Sequence, residues 1–244
     1  MRVAVLSDIH ANREAFAAVE RRLDGLRIDR ILFLGDAVGY NADPDFCARR
    51  IAELAGASVR GNHDKTVTDP ANLDWFNSIA RQALVWTRGA LSPEGRRAVE
   101  AMPRGPVEAD GGWVLCHGAP MDEDLYLVQR GSVEESFRYL AKRFPKARLC
   151  LFGHTHVPAI IKDKGGAISP PERFRLDPQA RYLINPGSVG QPRDRVPLAS
   201  FGVLDEGEMV WEHYRVAYPI EKTQAKIIDA GLPESLAERL AGGW

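Results

Sequence analysis

The chain is sparing with cysteine. Its 244 residues hold Cys47, Cys116 and Cys150, far apart, odd in number and without a C-x-x-C pair. That pattern argues against a disulfide framework and a cysteine-held zinc site, and the thiols read as small hydrophobes in a reducing compartment. An excess of one charge sign is missing as well, since 32 basic and 33 acidic residues leave a formal net charge of -1. The chain therefore lacks the electrostatic footprint of a nucleic-acid binder and has no acidic tail. No stretch approaches the ~20 apolar residues that a membrane helix needs. The opening apolar run from Val3 to Leu6 is too short for a secretory signal and runs into Asp8, so the chain reads as cytoplasmic. No internal repeat or low-complexity segment stands out.

What remains is an ordinary globular balance, 45% hydrophobic and 27% charged, in a chain long enough to bury a core without disulfides. One α/β domain over residues 1–217 is expected, with a helical tail over 218–244 packed on it. Val3 to Leu6, Ile31 to Leu34 and Ala57 to Arg60 read as buried strands. Between them, Phe16, Val19, Leu23 and Leu26 share a helical face, and Asp43-Pro44 opens a second helix. This β-α-β-α-β order signals a mostly parallel sheet. The stripe Phe76, Ile79, Ala80, Ala83, Leu84 and Thr87 predicts another helix, as do Ser92-Pro93-Glu94 and Val133 to Phe144. Trp113 to Cys116 and Leu149 to Phe152 predict strands. Later, Ala159 to Ile161, Tyr182 to Ile184, Ala199 to Leu204 and Met209 to Val216 read as an antiparallel group. Lys164 to Ala180 reads as an exposed hairpin or loop.

Five of the six histidines follow strand-like runs, where α/β sheets place their sites. Asp8 and His10 stand two apart on a chain expected to be extended, which would aim an oxygen and a nitrogen donor to one side. Asp36 ends Leu34-Gly35-Asp36, and its two oxygens could bridge two cations. In Gly61-Asn62-His63-Asp64, Asn62 offers a carbonyl ligand and His63 a proton donor. His117 follows a strand and precedes Gly118-Ala119-Pro120. His154 and His156, again two apart, are the strongest metal signal in the chain. Each motif alone has a plain reading as a turn or cap; together they hold enough nitrogen and oxygen donors for two metals.

In this order and spacing, Asp8-x-His10, Gly35-Asp36, Gly61-Asn62-His63-Asp64, His117 and Gly153-His154-x-His156 resemble the calcineurin-like metallophosphoesterase superfamily. Gly35-Asp36-Ala37-Val38-Gly39-Tyr40, Trp75-Phe76-Asn77, His117-Gly118-Ala119-Pro120 and Asn185 to Arg193 resemble its prokaryotic diadenosine tetraphosphatase-like branch. The resemblance implies a four-layer α/β/β/α sandwich. It also implies ligands: Asp8, His10 and His156 for one metal, Asn62, His117 and His154 for the other, and Asp36 between them. His63 would contact the reacting group without ligating. Mixed N/O donors suit Mn, Fe, Co, Ni or Zn, and the resemblance favours Mn or Fe.

Two such cations, ~3.5–4 Å apart, would generate a bridging hydroxide and clamp a phosphoryl group. The implied activity is hydrolysis of a phosphodiester or phosphoanhydride, a dinucleoside polyphosphate among the candidates. A small phosphorylated molecule would be the partner, and Asn12 and Arg193 would be candidate substrate contacts. Asn12 has an alternative as a helix cap. Two rivals stand beside this reading. One is a broad phosphomonoesterase. The other is a metal-binding docking scaffold like the retromer subunit of the superfamily, which lacks the catalytic histidine. One departure bears on His63: the superfamily's protein phosphatases carry an orienting aspartate where this chain has Gly39, leaving Asp64 as a weak candidate partner.

Overall fold

The computed structural model describes residues 1–244. The N-terminal alternation is present as β1 (Arg2–Leu6), α1 (Arg13–Asp24), β2 (Arg30–Phe33), α2 (Pro44–Leu54) and β3 (Ala57–Ser58). α1 begins where Asn12 accepts a hydrogen bond from the Ala15 N–H, and it buries Phe16, Val19 and Leu23. α2 starts at Pro44 as expected, but Asp43 makes no side-chain cap. Its carboxylate instead accepts a hydrogen bond from Lys226 at 2.6 Å.

The chain continues through α3 (Asn62–Thr68), a 3₁₀ turn (Pro70–Trp75), α4 (Ser78–Ala90), α5 (Pro93–Glu100), β4 (Val107–Ala109) and β5 (Trp113–Leu115). Then come α6 (Arg130–Arg143), β6 (Leu149–Leu151), β7 (Ala159–Lys162), β8 (Ala167–Ile168), β9 (Arg173–Arg175) and β10 (Tyr182–Asn185). The chain ends with β11 (Ala199–Asp205), β12 (Val210–Val216), α7 (Ile220–Asp229) and α8 (Glu234–Gly242). None of the helices is long and apolar enough to cross a membrane.

The strands form two six-stranded sheets, β3-β2-β1-β11-β12-β9 and β4-β5-β6-β10-β7-β8. Alternate residues of both meet in one core, with Val3, Val5, Leu32 and Trp211 facing Leu115, Leu149, Leu151 and Ile184. On the outer face of the first sheet, Ala4, Leu6, Phe33 and Phe201 pack against α1 and α2. On the outer face of the second, Val114, Cys150 and Leu183 pack against Phe137 and Leu140 of α6. The order of layers is therefore α/β/β/α. Each large apolar side chain sealed this way contributes about 1.5–3 kcal/mol.

Two expectations are corrected. The four later strands do not make one antiparallel group, because β7 and β10 join the second sheet while β11 and β12 join the first. β10 also runs parallel to β6. The segment from Lys164 to Ala180 is largely exposed and its start pairs with β7 as a hairpin, but it is more than a hairpin or loop: β8 adds to the edge of one sheet and β9 to the edge of the other, and Leu176 is buried in the core between the sheets. Along the C-terminal tail, Ile227, Leu232, Leu236 and Leu240 pack on Ala80 and Ala83 of α4 and on Tyr40.

Candidate metal centre

The carboxyl ends of β1, β2 and β3 in one sheet and of β5 and β6 in the other open toward the same place. The loops leaving them gather Asp8, His10, Asp36, Asn62, His117, His154 and His156. Asp8, His10 and His156 form one triad of donors, and Asp36, His117 and His154 form another. Asp36 stands between them, its Oδ2 lying 3.5 Å from His10 Nε2 and 3.3 Å from His117 Nε2. Asn62 Oδ1 lies 3.0 Å from His117 Nε2.

The backbone does not reach this arrangement by extended alternation. Asp8, His10, Asp36, His154 and His156 all adopt positive φ, between 48° and 66°. Left-handed backbone costs a residue with a Cβ about 1–2 kcal/mol, and such strain gathers at functional sites. Here long-range hydrogen bonds hold it. Asp8 N–H donates to Gly35 O and His10 N–H to Asp36 O, both at 2.9 Å. Beneath Asp8, the loop after β10 closes the site, with Gly190 N–H donating to Asp8 O at 2.9 Å and Ser188 Oγ donating to it at 2.8 Å. Gly61 is required by close approach, since a Cβ there would lie 2.0 Å from Asp36 Oδ1.

The histidine rings show what the site can hold. His10 Nδ1 faces Val38 O at 3.0 Å, His117 Nδ1 faces Leu34 O at 2.7 Å and His156 Nδ1 faces Gln191 O at 2.6 Å. Each carbonyl accepts a hydrogen bond from that Nδ1–H, so that in the neutral ring the lone pair is on Nε2, the arrangement typical of metal-ligating histidine. His154 is turned the other way, with Nε2 on Asp124 O at 3.2 Å, which leaves Nδ1 toward Asp36 and His117. The Nε2 atoms of His10 and His156 then meet at 3.0 Å as two acceptors. Two nitrogens held at right angles, each ~2.1 Å from a common ion, are ~3.0 Å apart. The donor set fits a cation.

The electrostatics agree. Burial drives His10 and His156 well below their ordinary pKa and lowers His154 to about 3, so their lone pairs are free at neutral pH. Burial, with the nearby Asp36 charge, raises Asp8 to about 7. A cation among these groups would reverse that and hold Asp8 ionised. For His117, burial opposes the charged form, but Asp36 outweighs it and raises the pKa to about 10, so its Nε2 carries a proton that a cation among these groups would have to displace.

His63 lies against the same cluster, 2% exposed, with its backbone N–H donating to Asp36 Oδ1 at 2.9 Å. Burial lowers its pKa to about 4. Asp64 is not its partner, a correction to the weak candidacy above. The Asp64 carboxylate accepts from the backbone N–H of Asp36, Ala37, Val38 and Gly61 at 2.7–3.3 Å, and so braces the Asp36 turn. A side chain at Gly39 would start 2.3 Å from His63 Nδ1, an atom that has no hydrogen-bond partner. Ring packing orients His63 instead: Tyr40 lies 4.4 Å away and Phe76 meets it edge-on at 5.2 Å.

The two expected substrate contacts part company. Asn12 is fully buried, capping α1 through Oδ1 and donating through Nδ2 to Gly190 O at 2.8 Å. Its side chain is committed to the fold, which corrects the reading of Asn12 as a substrate contact. Arg193 reaches the site's flank, donating to Tyr40 Oη at 3.3 Å and Gln191 Oε1 at 3.0 Å, and no carboxylate pairs with it. Sequence reasoning missed Tyr126, whose ring stacks on His154 at 3.8 Å. It also missed Lys65, which pairs with Glu123 and Asp124 beside the His154 acceptor. Neither carries a motif.

The chain as a whole is similar to several known proteins. The calcineurin-like phosphoesterase superfamily domain matches residues 1–209. An uncharacterized protein of Methanocaldococcus jannaschii is 36% identical over 241 residues, 98% of this chain and 96% of its own. The crystal structure of a metallophosphoesterase from Sphaerobacter thermophilus superposes with a TM-score of 0.87 at 38% identity, covering 100% of this chain and 99% of that one. A hypothetical protein from Pyrococcus horikoshii shares the fold at a TM-score of 0.79 and 20% identity, covering 100% of this chain and 98% of that one.

Proposed function

Because the chain belongs to the calcineurin-like phosphoesterase superfamily and is a metal-dependent phosphoester hydrolase, we propose that it works at a binuclear centre on a phosphodiester or phosphoanhydride. The observation that carries this reading is Asp36, whose one oxygen lies within 3.5 Å of a ring nitrogen from each half of the site. Asp8, His10 and His156 would hold one ion, and Asn62, His117 and His154 the other, with Asp36 shared. Manganese or iron suits the mixed donors. When bound, the ions supply the Lewis acidity and positive charge that phosphoryl transfer needs.

The chain's own groups do the rest. Carbonyls of Val38, Leu34, Gln191 and Asp124 fix the histidine tautomers. Arg193, a cation without a carboxylate partner, would pair with a phosphoryl oxygen. His63, neutral in the free site, would take up a proton as the phosphate's negative charge raises its pKa and pass it to the leaving oxygen, a step worth about 10²–10⁴-fold.

The test is chromatography of products from diadenosine tetraphosphate, alongside bis(p-nitrophenyl) phosphate and p-nitrophenyl phosphate. Cleavage that EDTA abolishes and Mn²⁺ restores is expected, with the diester or anhydride preferred. Preference for the monoester would move the reading to a broad phosphomonoesterase. No cleavage of any of the three would defeat it.

A further inference from the structure

A cavity of about 260 Å³ opens over the outer half of the centre, more space than a phosphate group needs. Its walls include Asn62, His63 and His154 from the site itself. They also include two large aromatic side chains that stand well out into solvent. Trp75, at the end of the 3₁₀ turn, is 76% exposed, and Tyr126, on the loop between β5 and α6, is 44% exposed. Single exposed hydrophobic residues are common and need no account. These two come from chain segments about fifty residues apart and line the same cavity, directly over the metal donors.

The cavity's chemistry narrows its occupant. Tyr126 is held flat by its stack on His154, with ring planes 24° apart, so one face is fixed and the other remains available. Phe76, seated edge-on against His63, lines the same cavity. Asn77 is there too. Its Oδ1 is used to cap α4 through the Ala80 N–H, which leaves its amide N–H₂ free to donate. Flat aromatic faces beside an amide donor suit a planar heterocycle with acceptors on its edge. An alkyl chain would gain nothing from the amide, and a bare phosphate nothing from the rings. The metal donors Asn62 and His154 in the cavity wall, with Arg193 behind Tyr40, supply the anion-binding part.

We propose that Trp75 and Tyr126 form a base-stacking subsite, so that the phosphate ester received at this centre carries a nucleobase. This rests on the phosphoesterase reading above and names its substrate class.

Adenosine 5′-monophosphate and ribose 5-phosphate carry the same sugar and phosphate and differ by the base. Their binding to the Mn²⁺-loaded protein, measured by isothermal titration calorimetry, isolates the base. The nucleotide is expected to bind about tenfold or more tightly, the worth of one stacked base. Trp75→Ala, at an exposed position where folding is not at risk, is expected to remove most of that advantage and leave ribose 5-phosphate binding unchanged. Tyr126→Leu, which keeps an apolar cover on His154, is expected to remove part of it. Equal binding of the two ligands by the unaltered protein would overturn the subsite and leave the phosphoesterase reading standing. So would a Trp75→Ala variant that keeps the full preference or weakens both ligands alike. Binding of neither ligand would strike the phosphate site itself, and the subsite with it.

Discussion

Asp8, His10 and His156 sit beneath the loop that follows β10, at most 2% exposed. Asn62 and His154, in the other half, line the cavity and are 9% and 4% exposed. The acceptors behind the rings differ too. Val38 and Gln191, behind His10 and His156, belong to segments bonded into the β1 and β2 turns. Asp124, behind His154, belongs to an outer loop tied down by Lys65. A donor set sealed into the junction of two sheets is pre-organised at folding. The other half shares one buried donor of that kind, His117 on Leu34 O, but its His154 rests on a surface loop and is held by fewer and more exposed contacts. On the proposed two-ion reading, the inner half should therefore keep its ion tightly and the outer half, on the side of the proposed substrate cavity, exchange it.

The largest effect should come from removing what the halves share. Asp36→Ala is expected to lower metal content from about two ions per chain to below about one and to abolish hydrolysis. Elemental analysis after gel filtration checks the first and product chromatography the second. If Asp36→Ala kept both ions, the halves would be independent sites. Next, His63→Ala is expected to keep both ions but to lose about 10²–10⁴-fold in turnover on a poor leaving group. The loss should be much smaller with p-nitrophenolate as leaving group. An equal loss on both would make His63 a positioning residue. A milder variant separates the halves. Lys65→Met frees the loop that carries Asp124, and should weaken the outer ion about 10–100-fold while sparing the inner one, as expected for removing a support behind a ligand. Stepwise chelation followed by metal analysis would show it. Parallel weakening of both ions would mean the loop serves the whole fold.

How much of this was legible in the sequence divides along the same line. The donor residues announce themselves by type and spacing, because few other roles place so many histidines and acids at strand ends. Their conformation does not. Asp8 and His10, two apart, suggested an extended strand, yet both are left-handed, held by Gly35 and Asp36 on another strand. Carbonyl acceptors such as Leu34 and Gln191 carry no side-chain signature and were invisible. Asn12 fits a cap and a phosphate contact equally until its distance to Gly190 is known. The β-α alternation was readable locally. The sorting of the later strands was not, because it depends on β1 pairing with β11, some two hundred residues away.

The sixth histidine sharpens the comparison from outside both halves, with the smallest expected effect. His213, on β12, contacts Ser200 Oγ through Nε2 at 2.9 Å. Burial, aided by the nearby Arg215 charge, lowers its pKa to about 4. In the unfolded chain it titrates near ~6.5. Between these values the unfolded chain takes up a proton that the folded protein refuses. Stability is therefore whole above pH ~6.5 and falls as the pH drops toward 4. His213→Gln cannot titrate, so between pH 7.5 and 5 it should lose about 1–2 kcal/mol less stability than the unaltered protein, by urea denaturation at each pH. Equal losses would mean that the folded protein accepts the proton at position 213. Burial alone would then be insufficient to keep a histidine neutral in this fold, and the free lone pairs of His10 and His156 would have to rest on the nearby positive charge of Arg193 instead.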